Sequence, residues 1–246
     1  MAESNGARVA LVAGGSRGIG AAVARRLAAD GAAVAIGYRA ASSEAEALAR
    51  EIETAGGRAI AVQGDIGRDG DAAKMVEQTV ARFGRLDVLV NTAGIGPYRP
   101  LASVDENFVR QMFDTNVLGA IMLTKAVAAV MREGGRIVHV SSRLAYSPIP
   151  TSTVYAASKA AVSAMVHGFA RELGPQGITI NAVAPGVIET DMTTKIIAER
   201  GEQIRTMTPL GRIGQPDDIA GIVAFLASDD ARWITGRTIL ADGGLT

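Results

Sequence analysis

Seven short apolar or β-branched runs, at residues 8–13, 33–38, 59–63, 86–90, 136–141, 178–183 and 238–241, alternate with longer alanine-rich segments of helical spacing. The helical segments fall at 19–30, 43–55, 69–83, 104–132, 153–173 and 216–228. Strands separated by helices have connections long enough to bring each strand back in the same direction, so the order predicts a parallel sheet covered on both faces. Gly31, Gly56, Gly84 and Gly134 each follow a helical run, where a residue free to turn left-handed can close the helix. A 246-residue chain that is 48% hydrophobic has the apolar surface for one continuous core, and no linker or short repeat divides it. Residues 189–214 form the exception, a polar stretch weak in strand signal and long for a connection, of the kind that often covers a site.

The first strand runs through Ala13-Gly14-Gly15-Ser16-Arg17-Gly18-Ile19-Gly20 straight into a helix. Glycines at such a turn let a pyrophosphate approach the backbone at a helix N-terminus, where a Cβ would obstruct it. The spacing is G-x-x-x-G-x-G, unlike the G-x-G-x-x-G of many dinucleotide folds. Further along, Tyr155 and Lys159 stand four residues apart and share a helix face. A nearby ammonium lowers a phenol's pKa, and a lowering of about two to three units makes tyrosine a usable acid or base. Ser142 follows the 136–141 strand, on the side of a parallel sheet where loops build sites. Asn116 lies inside the 104–132 helical run, although asparagine is a mediocre helix former.

Balanced charge, with 25 basic and 25 acidic residues, gives no steering toward nucleic acid or an anionic membrane and favours a small-molecule partner. The absence of cysteine excludes disulfides, thiolate metal sites and a cysteine nucleophile. His139 and His167 are far apart and read as structural, so no metal site is expected. The N-terminus lacks the basic start and apolar stretch of a signal peptide, and no apolar run is long enough to span a membrane, so a cytoplasmic protein is expected.

Taken in order along the chain, these motifs resemble those of the short-chain dehydrogenase/reductase family, and most closely its bacterial 3-oxoacyl-carrier-protein reductases and related ketone reductases. The family's first turn, T-G-x-x-x-G-x-G, is matched with Ala13 in place of threonine, which removes a hydroxyl that supports the turn. Its N-N-A-G appears as Asn91-Thr92-Ala93-Gly94, with Thr92 expected to matter for packing more than chemistry. Asp65 and the run Pro185-Gly186-Val187-Ile188-Glu189-Thr190 also match. The resemblance covers nearly the whole chain. It implies a single doubly wound Rossmann-type domain with a seven-stranded parallel sheet over residues 1–246, with 189–214 as a substrate lid.

The resemblance also implies roles. Tyr155 would protonate a developing alkoxide, Lys159 would lower the tyrosine pKa and hold the nicotinamide ribose, Ser142 would polarise the carbonyl, and Asn116 would hold a helix kink and order a proton path. Gly14, Ser16, Arg17, Gly18, Ile19 and Gly20 would cradle the pyrophosphate. Asp65 and Ile66 would flank the adenine, and Asn91, Ala93 and Gly94 would approach the ribose and pyrophosphate. Pro185, Gly186, Ile188 and Thr190 would grip the nicotinamide end. The second strand ends Ile36-Gly37-Tyr38-Arg39, with no acid where an NAD-type site bonds the ribose hydroxyls. Arg39, with Arg17 at the family's second basic position, therefore points to NADP(H).

The expected substrates are medium-sized ketones or 3-oxo esters, with Leu144, Ile149, Met192 and Ile196 as candidate pocket residues. An acyl carrier protein is a less favoured partner, because Glu133 and Gln176 stand beside Arg132 and Arg171 where an acidic carrier would dock. An NAD-dependent alcohol or polyol dehydrogenase and a catalytically silent dinucleotide-binding regulator are the alternatives. A homotetramer follows from the resemblance, with alanine-rich helix faces at 104–132 and 153–173 and the 241–246 segment as interfaces.

Overall fold

In the computed structural model, which describes residues 7–246, the apolar runs become seven strands: β1 (Val9–Ala13), β2 (Ala33–Tyr38), β3 (Arg58–Gln63), β4 (Val88–Asn91), β5 (Arg136–Val140), β6 (Thr179–Pro185) and β7 (Thr238–Ala241). They form one sheet in the order β3-β2-β1-β4-β5-β6-β7, and every pairing is parallel. The interior strands β1, β4 and β6 are buried throughout, as expected when both faces of a sheet are covered. Alternate residues of β1 show how this works: Ala10 and Val12 pack into one layer, and Val9, Leu11 and Ala13 into the other.

The first layer is closed by α1 (Gly18–Ala29), α2 (Ser42–Thr54) and α8 (Pro216–Ala227), and the second by α3 (Asp71–Phe83), α5 (Gly119–Ala128) and α6 (Thr153–Leu173). α3 ends as its sequence requires: Gly84 takes φ 82° and its amide donates to the Val80 carbonyl at 2.7 Å. The strand order reverses direction between β1 and β4, so the loops after these two strands diverge and leave a crevice at the carboxyl ends of the sheet.

Two segments differ from their sequence pattern. The run at 104–132 is not one helix but α4 (Glu106–Phe113), a π-helical turn at Asp114–Leu118, and α5. The 189–214 stretch contains a helix of its own, α7 (Thr194–Met207), with Gly201 as its only fully buried residue. Little of α7 is committed to the core, which is why its apolar periodicity is weak.

Gly14 and Gly84 both have positive φ but differ in surroundings. At Gly84 (φ 82°) a Cβ meets nothing within 4 Å, whereas at Gly14 (φ 76°) it would lie 2.7 Å from the Ala93 amide nitrogen. Gly84→Ala should cost only the left-handed penalty of about 1–2 kcal/mol in denaturant unfolding. Gly14→Ala should cost measurably more in the same experiment, and equal losses would show that the Gly14–Ala93 approach is slack.

Candidate active site

The glycine turn is held shut from β4. Thr92 Oγ1 lies 2.8 Å from the Ala13 carbonyl oxygen and 3.0 Å from that of Gly14, and shares its proton between them. Thr92, expected to matter for packing more than chemistry, thus also holds the turn through its hydroxyl. The hydroxyl missing at Ala13 is supplied across the strand pair, from the position where Ala13 and Asn91 are register partners. A Cβ at Gly20 would fall 2.6 Å from the same Oγ1. Beyond the turn, Arg17 occupies the N-cap of α1 in extended conformation with no side-chain cap, so amides of the first helical turn lack an intrahelical partner. Such an end, beside a crevice, suits an anion.

The β1–β2 register pairs Ala13 with Gly37, and the Gly15 amide donates to the Gly37 carbonyl at 2.9 Å. Tyr38 and Arg39 therefore emerge beside the glycine turn. Tyr38 is half-buried and accepts from Ser42 Oγ at 3.2 Å, while Arg39 is exposed. Arg17 reaches the 189–214 segment, its guanidinium 3.5 Å from Asp191, and Thr190 Cγ2 lies 3.2 Å from where a Gly18 Cβ would be. The start of that segment is thus seated on the turn. Pro185 ends β6; a Cβ on Gly186 would fall 2.8 Å from Asp242 Cα, and Ile188 is buried and bridges to Gly214. At the far end, Asp65 Oδ1 accepts the Gly67 amide at 3.0 Å, and Ile66 is buried beneath Gly119 of α5.

On the other side of the crevice, the structure brings Asn116, Ser142, Tyr155 and Lys159 into one cluster. Asn116 sits in the π-helical turn, 2% exposed. Its Oδ1 accepts the Ile95 amide at 2.8 Å, and its Nδ2 donates to the Ile95 carbonyl at 2.9 Å and to Ser158 Oγ at 3.0 Å. Ser158 Oγ in turn donates to the Tyr155 carbonyl at 2.7 Å. Lys159, one helical turn beyond Tyr155, is buried and donates to the Val140 carbonyl at 2.8 Å. Gly94 leaves room for it, since a Cβ there would stand 3.3 Å from Lys159 Nζ and 3.1 Å from Asn116 Oδ1.

The two serines after β5 separate cleanly. Ser141 Oγ is tied to the Lys159 carbonyl and to Ser163, each at 2.9 Å. Ser142 Oγ accepts the Leu144 amide at 3.2 Å, which leaves its proton free for another acceptor. Above them, Gly96 lies between Tyr155 and Met192: a Cβ there would be 3.3 Å from both Tyr155 Cε2 and Met192 Sδ. Tyr98 tilts against Tyr155 with ring centroids 5.8 Å apart. Of the expected pocket residues, Met192 is exposed, Ile149 and Ile196 are half-buried, and Leu144 is buried.

The electrostatics correct one expectation. Burial pushes the Tyr155 phenol up to about 12, with Tyr98 adding to the rise and Ser142 opposing it. Burial also brings Lys159 down to about 8. With its hydrogen bond given to Val140 and its Nζ 5.9 Å from the Tyr155 ring centroid, Lys159 does not offset the desolvation of the phenol.

Sequence reasoning gave His139 no task beyond a structural one, and the structure shows which. It is fully buried, pairs in register with Asn91, and contacts Asn91 Nδ2 at 3.3 Å and Thr124 Oγ1 at 2.9 Å. Burial holds it neutral, with its pKa lowered to about 3. Asn91 Oδ1 then accepts the Ala93 amide at 3.1 Å, which fixes the loop against Gly14. Parity along β5 could have placed His139 in the sheet, but its partners come from other elements. Among the described residues, no group of acidic or histidine side chains could hold a metal ion, and no helix is long and apolar enough to cross a membrane.

A parallel sheet with its switch-point crevice, a glycine turn on one side and a Ser-Tyr-Lys-Asn cluster on the other defines a class of nucleotide-dependent oxidoreductase folds. A family model described as enoyl-(acyl carrier protein) reductase matches residues 13–246. The chain is 48% identical over 241 residues to an uncharacterized oxidoreductase of Methylorubrum extorquens, covering 97% of each chain. It is 42% identical to a 3-oxoacyl-[acyl-carrier-protein] reductase of Staphylococcus aureus, covering 96% of this chain and 97% of that one. A short-chain dehydrogenase of Burkholderia cenocepacia, solved in complex with NADP, superposes with a TM-score of 0.92 at 42% identity over 98% of each chain. The chain belongs to the short-chain dehydrogenase/reductase family.

Replacing Thr92 by valine keeps its shape but removes the hydroxyl from two carbonyls. The variant should lose about 1–2 kcal/mol in denaturant unfolding. Thr92→Ser, which keeps the hydroxyl, should lose much less, and an unchanged Thr92→Val midpoint would show that the turn does not need the bond.

Proposed function

We propose that this protein is an NADP(H)-dependent reductase that transfers a hydride to a ketone or 3-oxoacyl carbonyl, reversibly forming a secondary alcohol. The observation that carries this reading is the pairing of two neighbouring hydroxyls, Ser142 and Tyr155, beside a buried ammonium at the mouth of the switch-point crevice. Two donors fit one oxygen that gains charge during reaction. The residues also fit the coenzyme: the uncapped start of α1 takes the pyrophosphate, and Arg39 with Arg17 takes the 2′-phosphate. The B. cenocepacia relative, solved with NADP, supports that choice. NADPH supplies the hydride when bound.

The chain's own residues do the rest. A phenol held well above neutral pH stays protonated, so Tyr155 stands ready to give its proton to the carbonyl oxygen. Ser142 steadies the same oxygen, Lys159 brings positive charge to the nicotinamide ribose, and Asn116 fixes the backbone at Ile95 and the Tyr155 turn of α6. The 189–214 segment, within a single domain of 1–246, acts as the substrate lid, with Asp191 on Arg17 holding its start. A cytoplasmic homotetramer completes the reading; Trp233 at 96% exposure is a large apolar surface for such an assembly to cover.

Tyr155→Phe should lower kcat on a ketone by about 100-fold or more while coenzyme binding survives. Near wild-type turnover would remove Tyr155 from the mechanism. Supplying the matching enoyl thioester separates carbonyl from alkene reduction, and faster alkene reduction would overturn the proposal. On the coenzyme side, kcat/KM should favour NADPH over NADH by about tenfold or more, which needs only about 1.4 kcal/mol. Arg39→Asp should shift that ratio toward NADH; a wild type indifferent to the phosphate would remove the assignment.

A further inference from the structure

Four arginines among the described residues are partly or wholly buried: Arg8, Arg85, Arg136 and Arg143. Three have carboxylate partners, Arg8 and Arg136 on Asp229 and Arg85 on Asp87. Arg143 has none within 4.0 Å among the described residues, and its guanidinium makes no hydrogen bond to them. Arg143 is partly buried, yet none of its five donors is taken up by an acceptor among the described residues, so they stand open to a ligand. Its place is specific: it directly follows Ser142, whose hydroxyl accepts the Leu144 amide and so fixes the tight turn on which Arg143 stands.

We infer that Arg143 is a specificity-determining residue that binds a carboxylate on the substrate, selecting oxo acids, with 3-oxo acids the best fit. The inference rests on the reductase reading above and names the class of carbonyl compound. Ser142 and Tyr155 take the ketone oxygen, and a side chain one residue along from Ser142 meets a group a few bonds away from it. Gly96 lies between Tyr155 and Met192, and Tyr98 tilts against Tyr155. No carboxylate among the described residues answers the guanidinium there. The charge of Arg143 is felt at the Tyr98 hydroxyl, where it opposes the upward shift caused by burial. Arginine meets carboxylate with two parallel hydrogen bonds, which fixes direction as well as adding affinity. The chemistry balances as a simple reduction: hydride adds to the ketone carbon, Tyr155 gives its proton to the oxygen, and the carboxylate is unchanged throughout.

The test compares 3-oxobutanoate, its ethyl ester and 2-pentanone with NADPH, in wild type, Arg143→Gln and Arg143→Lys. The wild type should use the anion with kcat/KM about tenfold or more above the ester. Arg143→Gln should raise KM for the anion about tenfold with little change in kcat, and leave ester and ketone within about threefold. Arg143→Lys should recover part of the loss on the anion alone. Preference for the ester in wild type, or an equal loss on all three substrates in Arg143→Gln, would overturn the assignment. Calorimetry with hexanoate, which cannot be reduced, decides the matter separately from turnover. Binding that weakens about tenfold in Arg143→Gln supports the carboxylate site even if no ketone is reduced, the outcome that would defeat the reductase reading alone. Absent or unchanged hexanoate binding overturns the site even if the ketone is turned over.

Discussion

Keeping an ammonium inside the molecule is the constraint around which this site is arranged. Lys159 is 5% exposed, and a buried cation must be matched by hydrogen-bond acceptors or lose its charge. The Val140 carbonyl meets it directly. Ser141 ties the carbonyl of Lys159 itself to the end of β5, so the backbone and side chain of one residue are both anchored to the same strand terminus. Gly94 stands back to leave the space. Because Lys159 is fixed, Tyr155 one turn earlier on α6 is held in place too, with Ser142 acting on its phenol.

The π-helical turn follows from the same demand. An unbroken helix through 104–132 would present Asn116 in one more regular turn, whereas the extra residue per turn at Asp114–Leu118 sets its amide against both backbone groups of Ile95 and against Ser158. One side chain thereby joins the loop after β4 to α6. A break in helical regularity is exchanged for full satisfaction of a buried amide, which matters more at 2% exposure than one ideal turn.

Much of this architecture was legible in the residues alone. The alternation of apolar runs and alanine-rich helices was enough for a parallel sheet, and the motif order for the family, because both are local patterns repeated along the chain. The four residues now found together at the crevice were named from spacing and from the family resemblance. What was not legible depended on partners distant in sequence. Nothing near Thr92 reveals that its hydroxyl faces carbonyls of β1, and nothing near Ser142 reveals that Ser141 is consumed by α6. The direction of the Tyr155 shift failed for a related reason: helical spacing reports that a cation is near, but not that it has turned to a strand carbonyl while the phenol has been desolvated. The π-helical turn and α7 escaped because periodicity registers neither one inserted residue nor a helix with so little of its surface in the core.

The neutral imidazole of His139 ties the sheet to proton activity in solution. Its pKa falls from 6.5 to about 3 on folding, so over that interval the unfolded chain takes up a proton that the folded chain refuses. Above the upper limit both states leave it neutral and it favours neither. As acidity rises through the interval, this residue alone tilts the balance toward unfolding by up to about 1.4 kcal/mol per pH unit. The strand pair it joins, β4 and β5, carries Asn91 on one side and leads to Ser142 on the other. Acidification below pH 6.5 therefore draws on the stability of the fold through the strand pair that joins the two halves of the crevice.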